Sequence, residues 1–226
     1  MKPSIRELVG AVITAVATPC VIIGAAVLLF LNPIWVGFEQ DRSGAAQWTG
    51  YTSAQVNQVT GSILSDLVFG PPDFDAAVDG KIVLDARERG HMADVRTVMG
   101  LLGGLAGIAA ILLFAIGLAS RGRRWFWRAA ATGASALVIG VVVVGVGLAI
   151  FFDQVFELFH EVFFGAGTYS FDPRTEKLVQ LFPDQFWSET SIALAVVVLG
   201  LALATVFVAR RLEGRGDDAS TAESVP

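Results

Sequence analysis

Two side chains among the 226 residues can take and return a proton near neutral pH without help from a metal: His91 and His160, the only histidines. Each has carboxylates within about a helical turn, Glu88 and Asp94 beside His91 and Glu157 and Glu161 beside His160, and any of these could fix an imidazole tautomer. A pair of interfacial histidines with a purely structural role would leave the same trace, so position alone does not decide between the readings.

Other chemistries have less to stand on. His160-Glu161 begins a zincin motif, but the second histidine that motif needs is missing. A zinc site from His91, His160 and one carboxylate stays open. No Gly-x-Ser-x-Gly elbow occurs, and the single cysteine, Cys20, falls inside an apolar run, so acyl-enzyme chemistry lacks a nucleophile. Phosphate-loop and dinucleotide fingerprints are absent as well. What remains is proton transfer by groups that do not attack the substrate themselves, with no cofactor, no protein-bound metal and no nucleic-acid partner expected.

The elements that must position these residues follow from composition. Hydrophobic residues make up 54% and charged residues 16%, with a mean hydropathy of +0.63; soluble domains carry about 25% charged residues. Four uncharged apolar runs approach the ~20 residues that cross a bilayer core, at about 8–31, 97–119, 129–152 and 190–209. The expected fold is an all-α membrane protein, one four-helix transmembrane domain over 1–211. The first run is too long for a signal-peptide core and has no cleavage signature, so it reads as a retained span. Nine basic and five acidic residues sit in the N-terminal, middle-turn and C-terminal segments; loops 32–96 and 153–189 hold seven basic and sixteen acidic. That division predicts both termini in the cytoplasm and both long loops outside. No span carries an interior charge, which disfavours a transporter or pump. Gly100 with Gly104, and Gly103 with Gly107, predict close helix packing, as do Gly133, Gly140, Gly145 and Gly147 in the third span. Residues 212–226 read as a disordered cytoplasmic tail.

Both outer loops are predicted to be structured and to contain short interfacial helices. Thr52-x-x-Gln55 is a capping box, and Val56, Val59, Ile63, Leu64 and Leu67 then recur at helical spacing until Gly70-Pro71-Pro72. Leu84 to Arg96 is expected to extend the second span outward. Loop 153–189 is dense in phenylalanine; Gln154 to Phe164 predicts a helix with Phe156, Phe159 and Phe163, and with them Phe164, in contact with lipid. Asp172-Pro173 predicts the start of another short helix, through Leu181. An aromatic anchor belt with no site is the plain alternative.

Two segments carry a family resemblance. Ala86 to Arg96 (ARERGHMADVR) and Phe159 to Trp187 (FHEVFFGAGTYSFDPRTEKLVQLFPDQFW) resemble the outer-loop signatures of a bacterial four-span family, the lipoprotein intramolecular transacylases. The first is similar to an acidic residue followed by His-Met-x-Asp-Val. The second is similar to Phe-His-x-x-Phe-Phe, a Gly-rich turn, an aromatic-x-Phe-Asp-Pro and a Phe-Pro-x-x-Phe-Trp. Order and span layout agree over nearly the whole chain apart from the tail. Tyr169 stands where tryptophan is expected and Glu176 where aspartate is.

The resemblance implies transfer of the sn-2 acyl chain of a diacylglyceryl-cysteine to the α-amine of the same cysteine, giving a lyso-form lipoprotein. Its partners would be a diacylated lipoprotein and membrane lipids, and its place the outer leaflet of a bacterial cytoplasmic membrane. His91 and His160 would form the acid-base pair, supported by Glu88, Asp94, Arg96, Glu161, Tyr169 and Asp172. An α-amine titrates at ~7.7 to 8.0, within reach of an imidazole base. Amine and ester share one molecule, so holding them together supplies an effective molarity on the order of 10⁵ M. A non-catalytic scaffold or lipid-binding protein, and a zinc-dependent lipid hydrolase, are the other readings. A reporter fused after Arg123 or at the C-terminus is expected to report the cytoplasm and one inserted near Asp79 the outside; an outside signal from the C-terminal fusion reverses the orientation.

Overall fold

The computed structural model describes residues 4–222. Four helices are long and apolar enough to cross a membrane: α1 (Ile5–Phe30), α5 (Ala86–Ser120), α6 (Arg124–Ile150) and α9 (Asp184–Ala222). At 1.5 Å per residue the 35 residues of α5 rise about 52 Å, well beyond a ~30 Å hydrocarbon core. Its polar first turns, Ala86 to Arg96, therefore extend the apolar span, as the sequence predicts. Arg121 and Gly122, both at positive φ, make the tight turn into α6. The third span ends earlier than the hydropathy suggests, at Ile150, because Phe151 and the residues after it start a separate helix.

The chain forms two compact units, and each long helix contributes residues to both. Of the described residues, the first comprises those within 4–26, 103–146 and 195–222. Close approach here depends on missing side chains. A Cβ on Gly133 would lie 2.1 Å from the Ala15 carbonyl oxygen, and one on Gly24 would lie 2.3 Å from Ala106 Cβ. The other predicted glycine seams are not used. Gly100, Gly103, Gly104, Gly107, Gly140, Gly145 and Gly147 have nothing within 4 Å of where a Cβ would stand, because they face away from the chain's own neighbouring helices. Arg123 pairs with Glu7 at 2.6 Å, and Arg128 with Glu213 at 2.7 Å. Where the sequence reads as a disordered tail from 212, α9 continues to Ala222, and Glu213 is held within that stretch. Residues 223–226 of the expected tail lie outside the described residues.

The second unit, residues 27–102 and 147–194, is built largely from the two loops. Asn32 caps α2 (Pro33–Arg42) by accepting from the Ile34 and Trp35 amides, and proline takes the first helical position. Glycines at positive φ bracket α3 (Ala45–Thr49). The capping box of Thr52 and Gln55 is formed at the head of α4 (Ser53–Val68). The apolar face of α4 is buried in a core shared with Phe74, Val78, Leu84, Met92, Leu178 and Leu181. A two-residue hairpin, β1 (Ala77–Val78) and β2 (Lys81–Ile82), turns through Asp79-Gly80, both at positive φ, the preferred pair for such a turn. After α7 (Phe152–Phe163) comes the short α8 (Lys177–Leu181).

The helix predicted from Asp172-Pro173 begins later. Asp172 closes a single turn, its carbonyl accepting from the Thr175 and Glu176 amides, and α8 starts at Lys177. Polar side chains stitch this unit together. Gln40 donates to the Leu181 carbonyl at 2.9 Å and accepts from the Thr60 hydroxyl at 2.9 Å, while Lys177 donates to the Thr49 carbonyl at 2.9 Å.

Glu39 on α2 is buried, and burial together with Glu189 raises its carboxyl above the ordinary 4.5, although Arg42 lies 3.8 Å away. The folded protein holds that proton more tightly than the unfolded chain. Its stabilising share is full below the ordinary value and is lost as pH rises through the raised one. Glu39→Gln fixes the neutral form, so it is expected to leave the melting temperature unchanged near pH 4 and to raise it at pH 8; a lower melting point at pH 8 would contradict burial as the controlling effect.

Candidate active site

Both histidines and their surroundings belong to the second unit. His91 lies on the second turn of α5 and is 7% exposed. His160 lies on the last turn of α7, where its ring comes within 6.1 Å of His91 at 26° between planes, close to stacked. Two residues far apart in sequence thus share one chamber. Its walls are aromatic: Phe164 and Phe171 approach His91 at 4.8 and 5.5 Å, and Phe156, Phe164 and Tyr169 approach His160 at 4.3, 5.4 and 5.1 Å.

Hydrogen bonding distinguishes the rings. His160 Nδ1 is 2.7 Å from the Phe156 carbonyl oxygen, one turn earlier on α7. A carbonyl only accepts, so Nδ1 carries the hydrogen and Nε2 holds the lone pair. His91 Nδ1 is buried with no hydrogen-bond partner among the described residues. No carboxylate among the described residues fixes either ring, contrary to the role the sequence gives Glu88, Asp94, Glu157 and Glu161. Glu157 instead accepts from the Tyr169 hydroxyl at 2.9 Å, and that bond to a carboxylate pushes the phenol above its usual 10. Asp94 and Glu161 are exposed. No three His, Cys, Asp or Glu side chains converge as metal ligands among the described residues.

Glu88 does something else. It is 2% exposed, and its two oxygens accept from the Leu178 amide at 2.6 Å and the Asp85 amide at 2.7 Å. Asp85 reciprocates, accepting from the Arg87 and Glu88 amides, which makes a capping box at the head of α5. Asp85-x-x-Glu88 is visible in the sequence and was the available signal; the bond to Leu178, ninety residues on, was not. Arg87 reinforces the same junction. Its guanidinium sits 4.5 Å from the Phe171 ring centroid, donates to the Ser170 carbonyl at 2.6 Å and pairs with Glu176.

The other expected site residues divide. Tyr169 is beside His160. Arg96 points away from the histidines, donating to the carbonyls of Asp66 and Gly70, and so ties α5 to the end of α4. Asp172 is engaged by Arg174, whose side-chain and backbone bonds hold its carboxyl down at about 2. Two of the four phenylalanines expected in lipid turn inward. Phe156 shares the His160 stripe of α7 at i and i+4, and Phe164, past the helix end, is 9% exposed and packs against both imidazoles. Phe159 and Phe163 stay on the exposed face with Leu158 and Val162.

A family model described as lipoprotein intramolecular transacylase Lit matches residues 12–187. The membrane-integral lipoprotein intramolecular transacylase Lit from Bacillus cereus, a solved structure, is similar to the chain at 16% identity with a TM-score of 0.79, covering 94% of this chain and 98% of that one. Forms of that protein with one histidine changed to arginine or to alanine each give 0.74 at 16% identity, covering 95% and 94% of this chain and 95% and 96% of theirs. At that identity the likeness establishes a shared fold. No curated protein matches in sequence.

Removing the Glu88 carboxylate leaves the amides of Leu178 and Asp85 without it, and unsatisfied buried donors cost roughly 1–3 kcal/mol. Glu88→Ala is expected to lower unfolding stability by about that amount, and Glu88→Gln, which keeps an oxygen acceptor, by less. Equal stability of Glu88→Ala and the parent in thermal or denaturant unfolding would show that the junction is held by other contacts.

Proposed function

The chain belongs to the lipoprotein intramolecular transacylase family, and on that premise we propose that it moves the sn-2 acyl chain of a diacylglyceryl-cysteine to the α-amine of the same cysteine, in the outer leaflet of a bacterial cytoplasmic membrane. The observation that supports this most is the meeting of His91 and His160 in one aromatic chamber. The substrate brings both nucleophile and leaving group. Its amine attacks the ester carbonyl, the C–N bond forms, the bond to the glycerol oxygen breaks, and the proton lost by the amine is matched by one gained by that oxygen.

The chain's own residues would move those protons. His160 is suited to be the base, since the Phe156 carbonyl holds its Nδ1–H and leaves Nε2 free to accept. His91, whose imidazolium pKa burial lowers to about 4, would serve the departing oxygen by relaying the amine's proton rather than supplying one of its own. No acyl-enzyme is required, since the substrate's own amine is the nucleophile. The exposed apolar face of α7, with Leu158, Phe159, Val162 and Phe163, suits acyl chains.

Two predictions test the pair and the face. His91→Ala and His160→Ala are each expected to lower acyl transfer ~10²- to 10⁴-fold while the protein still inserts, and the double variant to be little worse than either single. Transfer should fall at low pH as the substrate amine becomes protonated, and chelators should leave it unchanged. Mass spectrometry of lipoproteins from cells with each variant reads the ratio of diacylglyceryl to lyso form. Full activity of either single variant removes that histidine from the chemistry; no lyso form in any sample, parent included, favours a scaffold; loss on chelation restored by zinc points to a hydrolase. Phe159→Asp should also impair transfer or insertion more than Phe159→Leu, and like behaviour of the two would take that face out of lipid.

A further inference from the structure

The first unit contains a groove unconnected with the acyl-transfer reading. Near their basic ends α6 and α9 pack through Ala130, Ala131 and Ala209, three side chains with one carbon each. Small residues beside that seam leave a space of about 470 Å³, walled by Ala131, Ser135, Ala136 and Ile139, with Arg128 and Arg210 at one end. Ile139 is 65% exposed on a helix that crosses the membrane, so the wall faces lipid. From Arg128 to Ile139 the helix rises about 16 Å, half of a ~30 Å hydrocarbon core and therefore the depth of one leaflet's chains.

Charge selects among lipids. Glu213 accepts from Arg128 Nε at 2.9 Å and pairs with its Nη2 at 2.7 Å, which holds that guanidinium at the mouth. Arg210 has no ion pair among the described residues and is exposed. Among the residues that line the groove, two guanidiniums against one carboxylate leave a single positive charge, the complement of the single negative charge of a phosphodiester. Guanidinium donors suit phosphate oxygens in paired geometry. A headgroup with its own ammonium would bring a second cation to the arginines.

We propose that this groove seats one anionic phospholipid, with its phosphate between Arg128 and Arg210 and an acyl chain along Ala131 to Ile139. The seat combines shape and charge: the small side chains make room for methylenes, and the arginines fix the headgroup at the level where the helix leaves hydrocarbon. A free phosphate would use only the second of these.

Full-length protein in neutral detergent, titrated with phosphatidylglycerol, phosphatidylcholine or inorganic phosphate and read by native mass spectrometry and thermal unfolding, tests it. Phosphatidylglycerol is expected to bind and to raise the melting point well above phosphatidylcholine or phosphate. Arg210→Gln should weaken it about fivefold. Ala136→Phe, which fills the groove without changing a charge, should weaken it as well. Arg211→Gln is the control; that guanidinium stacks 4.5 Å over Phe207 and is not part of the groove lining. Equal binding of the two lipids, an equal effect of inorganic phosphate, or an equal loss in Arg211→Gln would each overturn the proposal.

Discussion

A buried carboxylate organises the region around the histidines. Burial raises the Glu88 carboxyl above its ordinary 4.5, and the backbone amides that meet its oxygens, from two separate stretches of chain, pull it back. Satisfying those oxygens fixes where α8 lies against the first turn of α5. His91 is on the following turn, and the segment entering α8 carries Phe171, which packs on His91. Arg87 closes the same junction from its exposed side through Ser170, Glu176 and the Phe171 ring. One electrostatic demand thereby brings a histidine from the first loop into contact with residues of the second.

His160 arrives by a different route. The break at Phe151 ends the third span and starts α7, so the last turn of that helix presents the ring to the chamber. Its tautomer is set within α7 by the carbonyl one turn back, and needs no distant partner. The two imidazoles thus differ in how they are held: His160 by its own helix and His91 by the wall around it. That asymmetry is the structural ground for giving them unequal parts in a proton transfer.

Much of this was legible in the sequence. The spans, the capping box of α4 and the extension of α5 beyond its apolar run follow from local pattern and appear in the structure. The two histidines are identifiable because they are the only imidazoles in the chain. Sequence proximity points to Glu88 as an orienter of His91, but both of its oxygens are taken by backbone amides. Its true partner, Leu178, is ninety positions away and offers only a main-chain amide, which has no signature in a sequence. Phe156 and Phe164 were misplaced for a related reason. Helical periodicity finds an apolar face without saying what covers it, and here the cover is an imidazole pair. Apart from Gly133, which does meet a neighbouring helix, the glycines of the predicted seams fail likewise, because spacing makes a close approach feasible but does not supply that helix.

The ring of Phe164 against both imidazoles bears on selectivity against solvent. An acyl ester near a basic imidazole has two competing fates, aminolysis and hydrolysis, and water is by far the more abundant nucleophile. A phenyl group 4.8 Å from one histidine and 5.4 Å from the other occupies space where an ordered water would otherwise find polar partners. In the proposed reaction, the partition between an acyl chain kept on the lipoprotein and a fatty acid shed into the membrane would then be governed less by the strength of the base than by the dryness of the chamber around it.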